Sequence, residues 1–497
     1  MRNFLVAVLL LCNALLAGAQ SLNDSHFVLL RNDSPLVAFR ILFRTGAMDD
    51  PAGKEGLASL AASMLSEAST QKNSYQKILQ LQFPMATAYF SQIDKEMTVF
   101  VGTTHKDNLT QFYGLLRDAV LEPAFLPEDF QRLREDQKNF VAKTLRFSDD
   151  EELGKTILSW AVFQGHPYSH PNAGTVKGNA ALSLQDVKDF YKIHYTRSNL
   201  LFGISGNFSD DLVAQIKKDF AALPEGDKQK KEVPTAAKLE RIKVFLTEKE
   251  TPATAISFGF PISFTRSDED FYPMMIANSW LGQHRNEFSH LYQVMREARG
   301  MNYGDYSYIE HFAFGGQFMQ PPPNYARSRQ IFQIWIRPVP NAIRHFALRQ
   351  AVRELQMLIE QGMSEQQFEL TRKFLTNYSP NLAQTNSQIL GYALDDKFYG
   401  LKEPFLEHIK KKFASLTVGD VNAAIRKHLN TKNIMIAIVT QDSQSFRKDL
   451  VANVPSPIKY ETPKPEAILQ EDKIIQDYPL NVSDSNVTII PADQIFE

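Results

Sequence analysis

Residues 182–202 and 416–436 carry one pattern in one register. Leu182-Ser183-Leu184-Gln185-Asp186-Val187 is answered 234 residues later by Leu416-Thr417-Val418-Gly419-Asp420-Val421, His194 by His428, and Asn199 by Asn433, with no gap. Each copy reads as a capped helix followed by a strand. Ser183 or Thr417 is the N-cap, and Asp186 or Asp420 three residues on is a carboxylate variant of the capping box. Val187, Phe190 and Tyr191 form one apolar stripe; Val421, Ala424 and Ile425 form the other. The asparagine then turns the chain into an apolar run, Leu200 to Ile204 or Ile434 to Val439. A chain repeated at this spacing is constrained to fold twice into one unit of roughly 200–230 residues.

The expected halves are residues 20–235 and 244–454. The charged stretch Glu225 to Lys243, with Pro234 inside it, links them. Residues 455–497 form a C-terminal extension, polar and proline-spaced, with a late apolar Val487 to Ile490. Leu36 to Arg44 and Thr98 to Thr103 read as strands; Gly53 to Ser66, Leu109 to Val120 and Pro127 to Leu145 read as helices. This order implies an α+β fold: two homologous halves, each a largely antiparallel sheet with helices on one face, closing as a clam-shell.

Composition narrows the function classes. With 54 basic and 56 acidic residues the formal charge is -2, so no global field draws the chain to nucleic acid or anionic lipid. Met1-Arg2-Asn3, the apolar run Phe4 to Leu16 and the small residues Ala17-Gly18-Ala19 read as a secretory signal peptide, residues 1–19. The run is shorter than the ~20 residues that a membrane span needs. Cleavage after Ala19 removes Arg2 and Cys12, the single cysteine, leaving no disulfide and no cysteine-based zinc cluster. Export is expected, to the bacterial periplasm first and secretion as the alternative, with no membrane span after cleavage.

Several pieces in order carry a resemblance. Phe43-Arg44-Thr45-Gly46-Ala47 is followed by Gly53-Lys54-Glu55-Gly56-Leu57-Ala58. Gly165-His166-Pro167-Tyr168 and Gly174-Thr175-Val176 come next, then Gly206-Asn207-Phe208 and, in the second half, Leu281-Gly282 and Met295 to Tyr303. Over residues 25–455 the chain resembles the pitrilysin/insulinase family of zinc metallopeptidases, and within it the short two-half subunits related to mitochondrial processing peptidase.

In that family the helix after Gly-Leu-Ala carries His-x-x-Glu-His. Here the two ligand positions are Ser59 and Ser63, and Ala62 stands in place of the glutamate. At ~100° per residue, Leu57, Leu60, Ala61, Met64 and Leu65 share one face. Ser59, Ala62 and Ser63 share the opposite one, which the resemblance directs into the cleft. Catalytic zinc needs protein ligands, an open position and a base for its water. Serine is a poor neutral ligand and alanine takes no proton. The segment Thr144 to Ser148, where the resemblance puts a third ligand, has no acid in register. No metal and no catalytic residue is therefore expected on this chain alone.

The resemblance does imply one retained pair. Arg296, in the last turn of a helix starting near Asn286 and ended by Gly300, and Tyr303, entering a strand, have the family's seven-residue spacing. In the family this pair faces zinc across the cleft, grips the substrate backbone and steadies the oxyanion. Met85 to Phe90 stands where the family has an edge strand to which substrate peptides add by main-chain pairing.

Other combinations read as bland. His166 and His170 are interrupted by Pro167, which disfavours helical metal spacing. Glu310-His311 and Glu407-His408 read as surface pairs, and Gly315-Gly316 as a strand turn. Ser59 and Ser63 have no nearby base in sequence and read as inert lining.

The function that the resemblance implies is a non-catalytic, substrate-binding subunit of an exported heterodimeric zinc metallopeptidase. A partner homologue would supply the zinc, and unstructured peptides would be the substrates. The alternative is a structural or peptide-holding protein of the same fold with no catalytic partner.

Overall fold

The computed structural model describes residues 22–227, 232–313 and 318–497; the signal peptide reading, Cys12 and the Gly315-Gly316 turn lie outside the described residues. Two sheets organise the chain. The first contains β1 (Phe27–Arg31), β2 (Leu36–Phe43), β3 (Tyr89–Ile93), β4 (Thr98–His105) and β5 (Leu200–Gly206), in the order β1-β5-β2-β4-β3. The second contains β6 (Lys243–Glu248), β7 (Ala253–Ile262), β8 (Asp305–Tyr308), β9 (Gln330–Pro340) and β10 (Met435–Thr440), in the order β6-β10-β7-β9-β8. β11 (Val487–Pro491), from the C-terminal extension, is added outside β6.

The sheets match strand for strand. β1 runs parallel to β5 as β6 does to β10, and every other neighbour within the shared order is antiparallel. The match extends to individual bonds. Asn32 N–H donates to Gly206 O at 3.2 Å, and Lys249 N–H donates to Thr440 O at 3.0 Å, at acceptors 234 residues apart.

The repeated helices are Leu184–His194 and Val418–His428, each with a closed capping box. Ser183 N–H donates to Asp186 Oδ2 at 2.9 Å while Asp186 N–H donates back to Ser183 Oγ at 3.2 Å. Thr417 and Asp420 repeat this at 2.8 and 3.3 Å. Such caps satisfy first-turn N–H groups that the helix itself cannot pair.

Helices from its own half cover the outer face of each sheet, burying Phe39, Phe43, Phe100 and Phe202 in one core and Phe258, Ile334, Ile436 and Phe346 in the other. Each inner face is covered by a helix from the opposite half. Asp150–Val162 leaves the first half and lays Leu153, Ile157, Leu158 and Ala161 against Ala255, Met435, Ala437 and Val439. Asn386–Tyr399 leaves the second half and lays Leu390 and Leu394 against Ala38, Leu42, Val99 and Leu201. The caps of these crossing helices, Asp149 and Thr385, are 236 residues apart, so the exchange is reciprocal within the repeat. Gly203 makes room for one crossing: a Cβ there would sit 2.9 Å from Leu390 Cδ1.

This exchange explains why β2 is apolar at every position but Arg40 and has seven of its eight residues buried, as a strand covered on both faces requires. Three boundaries differ from the expectations. Pro127–Asn139 is α-helical, and Phe140–Ser148 continues as a π-wound turn. Met85 ends a 3₁₀ turn instead of opening an edge strand, and β3 begins at Tyr89 because Ala86 adopts a left-handed conformation, φ 48°. The second half of the linker is no free tether: Val233 and Ala236 are buried, and Pro234 O accepts from Arg329 Nε at 2.8 Å.

Candidate functional site

The motif helix is Leu57–Ser66. It starts at Gly56, whose φ of 107° suits glycine, and whose Cβ, if present, would meet Ala173 O at 2.8 Å. Asp50 caps it by accepting from Gly56 N–H and Ala58 N–H, both at 2.7 Å. Burial nevertheless pushes the Asp50 carboxyl up to about 7. Leu57, Leu60, Ala61, Met64 and Leu65 enter the first core, as their spacing predicts.

The opposite face is not an open ligand face. Ser59 is buried and donates its hydroxyl to Asn172 O at 2.7 Å. Ala62 is 1% exposed, with its carbonyl accepting from Ser66 Oγ at 3.1 Å. Ser63 is half-buried. A hydroxyl already spent on a carbonyl, a methyl group and a second serine do not fit zinc, which needs deprotonated or imidazole donors. In the third-ligand segment Arg146 is buried and binds Ile495 O at 2.8 Å. Among the described residues no three His, Cys, Asp or Glu side chains converge as a metal-binding group.

Beside Ser59 a half-open cavity of about 320 Å³ lies between the halves, with Lys95, Phe140, His170, His311, Arg327 and Trp335 in its walls. Its electrostatics rest on a cross-half network. Asp94, fully buried in the β3–β4 turn, accepts from Arg327 Nε at 2.6 Å and from Asn172 Nδ2 at 3.1 Å. Burial alone would raise the Asp94 carboxyl, but Arg327 and His311 hold it down at about 2. Burial and Arg327 push His311 down to about 3, and burial and Lys95 push His170 down to about 4, so both rings are neutral at pH 7. Burial and the charge of Arg327 bring Lys95 to about 7. Glu96 in the same turn accepts from Ser328 Oγ at 2.8 Å and from Tyr168.

Sequence reasoning missed this network. Asp94-Lys95-Glu96 between two apolar strands has the pattern of a solvated hairpin turn, and its partners lie about 70–80 residues away (Tyr168, Asn172) or more than 200 (His311, Arg327, Ser328). Glu310-His311 is not a surface pair. Glu310 is buried against Arg266, Nε to Oε2 2.9 Å, and His311 turns toward Asp94 at 3.7 Å. His408 does lie near the surface, paired with Glu403 at 2.7 Å. His166 is structural: Nδ1 accepts from Tyr168 N–H at 3.0 Å, and Nε2 meets Pro234 O at 2.8 Å.

Arg296 and Tyr303 sit elsewhere. The helix carrying Arg296 begins at His290, later than its expected start, because Asn286 is spent on a turn, accepting from Phe288 N–H at 3.1 Å. Its last turns, Tyr292–Glu297, are π-wound, and Gly300 follows at φ 69°. Arg296 stacks over the Tyr292 ring at 4.7 Å and pairs with Glu297 at 2.6 Å. Tyr303 lies two residues before β8 and is 78% exposed. Neither residue lines the cavity beside Ser59. β3 is an edge strand paired with β4 alone among the described residues, and Phe90 on it is exposed.

A family model described as Insulinase (Peptidase family M16) matches residues 27–175, and one described as Peptidase M16 inactive domain matches residues 181–375. The chain is 24% identical over 228 residues to the uncharacterized zinc protease YmxG of Bacillus subtilis, spanning 45% of this chain and 52% of that one. It is 21% identical over 456 residues to the non-peptidase homolog YmxG of Helicobacter pylori, spanning 88% and 99%. Among solved structures, a peptidase M16 inactive domain from Pseudomonas fluorescens superposes with a TM-score of 0.73 at 21% identity, covering 84% of this chain and 95% of that one. A chain of complex III2 from Candida albicans superposes at 0.67 with 15% identity, covering 83% and 93%.

Proposed function

Because the chain belongs to the insulinase family of peptidases, peptidase M16, we propose that it is the non-catalytic, substrate-binding subunit of an exported heterodimeric zinc metallopeptidase. The observation that carries this reading is the motif helix itself. Ser59 is committed to Asn172 O and Ala62 is buried, so the positions that would hold zinc and its base hold neither. The name of the Helicobacter relative, a non-peptidase homolog, points the same way.

In this reading a partner with an intact His-x-x-Glu-His supplies the metal, and this chain closes the chamber. Arg296 and Tyr303 contribute from its second half. A guanidinium and a phenol both donate hydrogen bonds to a carbonyl that is becoming an oxyanion. The exposure of Tyr303 leaves its hydroxyl available to a partner-bound substrate. The exposed strand β3 offers peptides a main-chain edge whatever their side chains. The apolar N-terminal run directs export.

A second reading is favoured by the likeness to the Candida complex III2 chain: a structural or peptide-holding protein with no catalytic partner. One experiment separates the two. The mature protein is purified alone and together with an exported homologue bearing the intact motif. Zinc content and cleavage of an unstructured peptide are then measured. The subunit reading expects no stoichiometric zinc on the single chain, and chelator-sensitive cleavage by the pair that exceeds cleavage by the homologue alone. Chelator-sensitive cleavage by the single chain overturns it. A stable homodimer that binds peptide and never joins a cleaving complex supports the second reading.

A further inference from the structure

The C-terminal extension does for the second sheet something that no described residue does for the first. β11 lies parallel against the outer edge of β6, with Val487 opposite Val244, Ile489 opposite Leu246 and Pro491 opposite Glu248. β1 is the counterpart of β6. Since Asn32 and Lys249 make the same bond, Phe27, Leu29 and Arg31 correspond to Val244, Leu246 and Glu248. Along a strand the main-chain groups point alternately to either side. Asn32 points to β5, so Phe27, Leu29 and Arg31 turn their N–H and C=O groups away from it; the Phe27 N–H is taken by Asp24 O, leaving the outward groups of Leu29 and Arg31. Among the described residues β1 pairs with β5 alone. An open edge of this kind is a template for another strand, and proteins commonly cover it.

A groove of about 750 Å³ follows that edge. Val28 and Leu30 form one wall, and Ala383, Ile389, Ala393 and Leu406 of the second half form the other. Lys397, Lys402 and Lys410 also line it, and none has an ion-pair partner among the described residues. Glu407 is the one exposed acid in the lining. The Asp396 carboxyl accepts from Phe405 N–H at 3.3 Å, and burial pushes it up to about 7. The groove is therefore apolar along its length and basic at its rim. β11 shows what suits such a place. Ile490, opposite Thr247, packs among the side chains under the crossing helix, and Thr247 corresponds to Leu30 in the groove. Asp484 and Asp493 flank β11 in sequence.

The geometry points to this groove as the docking site of an extended, aliphatic segment with flanking acidic residues, supplied by a partner protein, that runs parallel to β1 and completes the first sheet as β11 completes the second. Main-chain pairing with Leu29 and Arg31 gives the segment its direction. Alternate side chains enter the groove, and the acidic flanks meet the three lysines. The site is separate from the motif helix and from Arg296 and Tyr303, and does not depend on a zinc-bearing partner.

The test uses the full mature chain and a fluorescent synthetic peptide, Asp-Ser-Asn-Val-Thr-Ile-Ile-Pro-Ala-Asp, which copies residues 484–493. A scrambled peptide is the control. Leu29→Pro removes an outward N–H and no bond to β5, and proline is tolerated at a sheet edge. Lys397→Glu/Lys402→Glu/Lys410→Glu reverses the rim. The expected result is saturable binding of the ordered peptide, weakened at least about tenfold by either variant as a lost charge-assisted contact or strand bond implies. Amide exchange at Leu29 and Arg31 should slow when peptide binds. Absence of saturable binding, equal binding of the scrambled peptide, or indifference to both variants overturns the proposal. So does a fluorescent long-chain fatty acid that binds where the peptide does not, is lost on lysine reversal and survives Leu29→Pro, since the groove would then serve an amphiphile.

Discussion

Asp94 and Arg327 form a bidentate ion pair across the boundary between the two halves, with Nε to Oδ2 at 2.6 Å and the carboxylate fully buried. Both side chains are buried, and the charge of each is compensated chiefly by the other. Removing one partner of a buried pair strands the other charge, at roughly 3–5 kcal/mol, whereas removing both can be nearly neutral. Arg327→Met should therefore cost about that much stability in urea titrations, and Asp94→Asn/Arg327→Met should recover most of it. Equal loss in the single and double variants would show that the pair is not coupled. The pair also carries a pH signature. Asp94 is held at about 2, below its ordinary 3.8, so its contribution is present above pH 4 and is lost as pH falls toward 2.

Asp305, the first residue of β8, has the opposite sign. It is buried, one oxygen accepts from Asn302 Nδ2 at 2.8 Å, and the other has no hydrogen-bond partner among the described residues. Burial pushes its carboxyl up to about 8. A raised value means that the folded state holds the proton longer than the unfolded chain, so its contribution is full below about pH 4 and is lost as pH rises through 8. Asp305→Asn keeps the shape and removes the titration. The variant should gain on the parent between pH 5 and 8, by up to about 1.4 kcal/mol for each pH unit. Thermal melts at both pH values check this, and parallel melting curves for parent and variant would refute it.

Arg296→Ala and Tyr303→Phe should leave melting temperature and assembly unchanged, because Arg296 is partly exposed and Tyr303 is exposed. In a complex with a zinc-bearing partner, each should cut turnover by roughly a hundred- to a thousandfold, the usual loss for one oxyanion donor. Unchanged turnover would make the pair structural and reduce this chain to a chamber wall.

The two halves should not fold apart. Residues 22–227 alone lack the helix Asn386–Tyr399 over their inner sheet face and carry Asp150–Val162 with nothing to cover. Exposed apolar faces of this kind lead to aggregation. The fragment should be insoluble by itself and soluble when co-expressed with residues 232–497. A monomeric, cooperatively melting fragment would show that the exchange is dispensable.

Much of this architecture could be read along the chain. The 234-residue offset located two equivalent helix-then-strand units, and the capping pairs Ser183–Asp186 and Thr417–Asp420 marked where the helices begin. Periodicity assigned Leu57, Leu60, Ala61, Met64 and Leu65 to the core face. The lost motif at Ser59, Ala62 and Ser63 needs only the sequence, because it concerns which atoms are present. The resemblance puts the edge strand from Met85, whereas the strand starts at Tyr89, and the left-handed backbone at Ala86 that separates the two has no sequence mark such as glycine or asparagine.

What the sequence determined by itself is local: caps, periodic faces, and the absence of any imidazole or carboxylate at three positions of one helix. These follow from contacts within a few residues, or from side-chain chemistry alone. The tertiary structure alone decided which half covers which sheet, that Asp94, Lys95 and Glu96 are buried, that Glu310 faces Arg266, and that β11 covers the edge of β6 while β1 pairs with β5 alone among the described residues. The physical reason is separation along the chain. A charged triplet is a solvated turn unless a guanidinium arrives from 233 residues away to compensate its burial, and no local pattern records that arrival.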